Sequence, residues 1–151
     1  MKHQSGLLLA FLFIASVATA QNLPPINQHP VPKPALFAAV PNQFAVSTSL
    51  LQQLFLKEKN AAVSARLHSS LAIEGYVLEK VMVTGQQLSI NIRCTNLSNA
   101  LFNISQLTLA DGSIVYTGRL LNPASGDILL LQPLNGGYAF IKQQQLHTMV
   151  D

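Results

Sequence analysis

Arg119 and Asp127 are the residues whose types and spacing most readily make a site in this chain. They bracket the turn-rich stretch 120–126, so a guanidinium–carboxylate pair between them would clamp that loop. Were the 122–127 connection to lie at the rim of a barrel, the same two groups would hold a polar ligand. A second constellation is aromatic. Tyr116 and Tyr138, with Tyr76 and Phe140, fall in strand-like runs and are expected to share one sheet face. Such stripes usually serve cross-strand packing, and on an open face they make a platform for a carbohydrate or a peptide.

Catalytic and metal-binding patterns are sparse. Beyond residue 20 the histidines are His29, His68 and His147, with no H-x-H or H-E-x-x-H spacing among them. No G-x-S-x-G turn presents a serine nucleophile, and Ser125 sits among loop-forming residues. Asp111-Gly112-Ser113 reads as a hairpin turn and not as an aspartic-protease motif. Glu74 and Glu79 lie five residues apart on one expected strand, which would put them on opposite faces. The glycines mark strand turns and do not form a phosphate-cradling loop. No catalytic residue, metal or cofactor is therefore expected. The competing enzymatic reading is a hydrolase assembled only in three dimensions, around His68, Asp127 or His147.

The elements that must position these groups are mostly strands. Five turn signals, at 84–85, 96–99, 111–112, 122–127 and 135–136, separate six runs: 71–83, 88–95, 100–110, 113–121, 128–132 and 138–146. Asp-Gly and Asn-Gly favour hairpins because both residues tolerate positive φ. The second run alternates, predicting Leu88, Ile90, Ile92 and Cys94 inward and Ser89, Asn91, Arg93 and Thr95 outward. Such short connections imply an antiparallel meander, closed as a small barrel or folded as a sandwich. Ser49 and Gln52 have capping-box spacing, and Leu50, Leu51, Leu54 and Phe55 share a helical face. The expectation is one short helix over 50–59, with Lys57 and Lys59 at its negative end and Asn60 as its stop. Residues 61–68 fit either a helical extension or a first strand.

Before this domain, 21–46 carries six of the eight prolines and reads as an extended tether. Leu36, Phe37, Val40 and Phe44 are unusual in a free tether and are candidates to dock on the domain. Residues 1–20 have the layout of a secretory signal: Lys2 and His3, an apolar core over 7–17, then Ala18-Thr19-Ala20. The core is short of the roughly 20 apolar residues a spanning helix needs. Gln21, not cysteine, follows the expected cleavage after Ala20, which disfavours lipidation.

Loss of Lys2 leaves eight of the nine Lys and Arg against six Asp and Glu, dispersed along the chain. That disfavours a nucleic-acid partner, which needs clustered cations. Cys94 stands alone, so no intramolecular disulfide forms, and its inward parity suggests a buried thiol. Asn96 and Asn103 each open an N-x-Ser glycosylation pattern. Six expected strands, one only five residues long, fall short of the eight that an outer-membrane barrel requires.

Together these features predict a secreted or periplasmic all-β domain without stable membrane insertion. It would act by binding an extracytoplasmic protein or polar ligand, with Arg119, Asp127, Tyr116 and Tyr138 as candidate contacts.

Overall fold

A computed structural model describes residues 33–144. The expected signal, the first part of the Pro-rich segment, His29 and His147 lie outside those residues. The described chain is mainly β, with one short helix, α1 (Thr48–Phe55). Its strands are β1 (Gln43–Val46), β2 (Ala62–His68), β3 (Leu71–Thr84), β4 (Gln87–Cys94), β5 (Ala100–Thr108), β6 (Ile114–Leu121), β7 (Asp127–Leu134) and β8 (Gly137–Gln144). They form one antiparallel sheet in the order β1-β8-β7-β6-β5-β4-β3-β2. β2 to β8 run as a meander, and β1 adds itself to the far edge by pairing with β8. The sheet curls into a half-barrel. Its two edge strands approach at the rings of Phe44 (β1) and His68 (β2), 5.1 Å apart, without a β1–β2 ladder among the described residues.

All six strand runs read from the sequence are strands, and two more flank them. Residues 62–68 resolve as a strand because they pair with β3 from Ala62↔Tyr76 to His68↔Leu71. Gln43–Val46 lies within the segment that proline content marks as a tether, yet it pairs residue for residue with β8. The strand count thus rises from six to eight, which removes the count-based argument against an outer-membrane barrel. The polarity of the sheet is nonetheless opposite to a lipid-facing barrel, since the apolar side chains point inward.

The concave face is filled by the chain itself. Val77, Ile90, Ile92, Phe102, Ile104, Leu120, Leu129 and Phe140 project from the strands and are fully buried. Against them pack Leu51, Leu54 and Phe55 of α1 and Phe37 and Val40 of the preceding turn. Burying each such side chain stabilises the fold by roughly 1.5–3 kcal/mol before entropy is counted. This explains why Phe37 and Val40 do not remain free in solvent.

The helix starts earlier and ends earlier than its sequence signals suggest. Ser47, with extended backbone, is the N-cap residue, and its side chain caps no backbone N–H. The expected Ser49/Gln52 capping box does not form. Instead the hydroxyls of Ser47 and Ser49 bond to each other at 2.6 Å. Lys57 and Lys59 fall in the following loop, where the Asn60 N–H donates to Val77 O and steers the chain into β2. Asn60 is not the helix stop, since Leu56 is the C-cap; its left-handed backbone, φ 67°, serves the turn into β2.

Candidate functional site

Asp127 and Arg119 do not meet. In β6 the buried Leu120 faces inward, which turns its neighbour Arg119 outward, where it is exposed. In β7 the buried Leu129 and Leu131 fix the inward parity, and Asp127 shares it at 3% exposure. The two expected partners therefore lie on opposite faces of the sheet.

Asp127 holds the chain's own N-terminal segment. The Leu36 N–H donates to Oδ1 and the Phe37 N–H to Oδ2, both at 2.8 Å, while the Ser125 hydroxyl donates to Oδ1. Around this point the Gly126 N–H donates to Pro34 O, and Lys33 Nζ donates to Pro123 O. The 122–127 connection is thus a clasp whose acceptors are occupied by residues 33–37. A hollow of about 250 Å³ remains beside it, lined by residues that include Ser98, Asn122 and Ser125.

The aromatic stripe also divides. Tyr116 is buried, with Phe55 at 5.6 Å and Tyr138 at 5.4 Å between ring centroids. Burial, and secondarily Tyr138, pushes the Tyr116 phenol above its ordinary pKa. The Tyr138 hydroxyl accepts from the Tyr116 N–H and donates to Ile114 O, a pin across the sheet. Phe140 stacks inside on Phe44 and tilts against Phe102, whereas Tyr76 is on the outer face opposite Arg93. Tyr116 and Tyr138 are parts of the core and its seam, not an exposed platform.

The outer face carries the more open polar arrangement. A β-bulge between Val77 and Glu79 inserts one residue into β3, so Glu79 pairs with Asn91. The extra residue reverses the expected parity, and Glu74 and Glu79 both face outward. From Glu79 the register runs across neighbouring strands through Asn91 and Asn103 to Arg119. Asn91 Nδ2 donates to Glu79 Oε2 at 3.2 Å, and Asn103 Nδ2 donates to Asn91 Oδ1 at 2.6 Å. These bonds orient both amides in one direction across β3, β4 and β5. Arg119 continues the row, and its guanidinium makes no hydrogen bond or ion pair among the described residues. Asn91, Asn103 and Arg119, with Leu101 and Leu121, line an open hollow of about 210 Å³. A free guanidinium beside two oriented amides and two leucines is suited to grip an anionic group on a small polar molecule.

Alternation in β4 and β5 points Asn91 and Asn103 outward, while Arg119, in a strand that does not alternate, joins them through its pairing opposite Asn103. The missing signal was the bulge, which brings Glu79 into the same row. The same row accounts for Asn103, whose amide is engaged with Asn91, while Asn96 is held in the β4–β5 turn by bonds to the Glu74 N–H and Ala72 O.

His68 does not assemble a triad among the described residues. Its Nδ1 accepts from the Ser70 N–H at 3.2 Å and lies 2.8 Å from the Ser70 hydroxyl, while Phe44 covers the ring. No carboxylate bonds to it there. Nor do three of His, Cys, Asp or Glu gather to hold a metal ion among the described residues. Asp111 forms the expected hairpin turn, where its bonds from Ser113 hold its carboxyl below the ordinary pKa. Set against protein-family models, curated proteins and solved structures, the chain matches none of them.

Proposed function

We propose that this chain is an exported, non-catalytic β-domain that binds a small polar ligand on its convex face. The observation that carries the reading is the exposed Arg119, unpartnered among the described residues, in the hollow it shares with Asn91 and Asn103. The concave face, where a half-barrel would otherwise hold a ligand, is occupied by Phe37, Leu51, Leu54 and Phe55. Export rests on the charged, apolar and small-residue sections of residues 1–20. The ligand class follows from the donors. The guanidinium favours a carboxylate or similar anion, and the Asn side chains favour adjacent hydroxyl or amide groups.

Titration calorimetry with galacturonate and with neutral galactose tests this reading. The uronate is expected to bind more tightly, and added salt is expected to weaken it. Arg119→Ala should reduce affinity roughly tenfold or more, as loss of a charge-assisted contact costs about 1.5–3 kcal/mol. Equal binding of the two sugars, or uronate binding unaffected by Arg119→Ala, would overturn it. So would an absence of binding by galacturonate and by a glutamate-containing tripeptide.

A further inference from the structure

One end of the half-barrel exposes aliphatic side chains on several adjoining elements. Val81, Met82 and Val83 are successive residues near the tip of β3 and are 40%, 61% and 54% exposed. Successive strand residues point to opposite faces, so this hairpin is apolar on both sides. The β5–β6 hairpin lies beside it, with the Thr108 N–H donating to Gln86 O, and it exposes Leu107, Leu109 and Ile114. The end of α1 belongs to the same rim. Phe55 packs on Tyr116, two residues along β6 from Ile114, and the next residue, Leu56, is 78% exposed. The loop then returns to β3 through the Glu58–Lys80 ion pair at 2.7 Å.

Exposed aliphatic residues concentrated in this way mark a surface that meets another apolar phase. The charges select which phase. Lys57 and Lys59 are exposed directly after Leu56, while the intervening Glu58 is paired with Lys80. Asp111, at the β5–β6 turn, is the opposing charge, and Ser113 already engages it. A flat protein partner covers one face of a hairpin, whereas the lipid interface surrounds both. We propose that this rim docks peripherally on a bilayer containing anionic phospholipid. Met82, Val83, Ile114 and Leu56 enter the headgroup boundary, and Lys57 and Lys59 lie against its negative charge. The site is separate from the Arg119 hollow and does not depend on it.

The chain contains no tryptophan, so a single introduced indole reports its own surroundings. Met82→Trp and, in the β2–β3 turn, Ser69→Trp are each mixed with vesicles as residues 21–151, the chain expected after cleavage. One set contains phosphatidylcholine and phosphatidylglycerol, another phosphatidylcholine alone, and each is also prepared with brominated acyl chains. The Met82→Trp emission is expected to shift to the blue and to be quenched by brominated anionic vesicles. Ser69→Trp should show neither change. Adding Lys57→Gln and Lys59→Gln to Met82→Trp should weaken the vesicle affinity about tenfold. Three results would overturn the proposal: no quenching at position 82, equal quenching at 69 and 82, or retention of full affinity without the two lysines. A blue shift that grows with protein concentration in the absence of vesicles would also overturn it, by assigning the rim to a second copy of the chain.

Discussion

Asp127 and Arg119 show how one strand position decides between a structural and an accessible role. Asp127 stands 3% exposed and receives two backbone N–H groups; the Leu36 N–H is shared with Ser125 Oγ, but loss of Oδ2 would leave the buried Phe37 N–H unpaired. Asp127→Asn replaces one acceptor oxygen by an NH₂ and is expected to cost about 1–3 kcal/mol in a denaturant titration. Arg119→Ala, on the outside, should change stability by less than about 0.5 kcal/mol in the same assay. Arg119's direction was hidden because β6, from Ile114 to Leu121, does not alternate, and its face comes from its pairing opposite Asn103. That of Asp127 was hidden because the next four residues are all apolar and give no parity. Cys94 makes a prediction in pH. Burial pushes its thiol from an ordinary 9.0 to about 12, so the folded chain keeps a proton that the unfolded chain has released. Stability should therefore fall as pH rises from about 9 to about 12, and Cys94→Ala should flatten that part of the profile measured by denaturation.

At the scale of elements, the hairpins were the most readable parts of the sequence. Gly112 and Gly136 take φ of 81° and 76°, and Asn135 takes 50°, the conformations their residue types make inexpensive. Strand β1 was hidden because four residues beside a proline carry little pattern of their own, and its pairing comes from β8, far along the chain. The bulge in β3 was hidden for a related reason. It adds no special residue, yet it reverses the face of the residues from Glu79 to Met82, where a second register shift follows, and moves Glu79 into the Asn91–Asn103 row. Close approach between strands is also specific to register. A Cβ at Gly75 would run into the backbone carbonyl of Arg93, and one at Gly118 into that of Asn103. Gly75→Ala and Gly118→Ala should each lower stability by about 1–3 kcal/mol, as read from thermal unfolding.

For the whole molecule, the half-barrel buries its inner face and leaves the Asn91–Asn103–Arg119 row on the outer one. The inner face is closed by α1 and by the turn that carries Phe37, which the Asp127 clasp holds in place. Phe37→Ala should cost about 3–5 kcal/mol in equilibrium unfolding, a loss typical of an emptied aromatic core position. Composition marked this segment as a tether, because prolines speak for local geometry and cannot report what the concave face lacks. On the proposed function, ligand binding belongs to the outer face. Backbone amide shifts recorded by two-dimensional NMR during a galacturonate titration test it most directly. Saturable shifts centred on Asn91, Asn103 and Arg119 are expected, with residues 36–40 and α1 unmoved. Shifts centred on Phe37, Leu51 and Phe55, with the Asn91–Arg119 row silent, would contradict it.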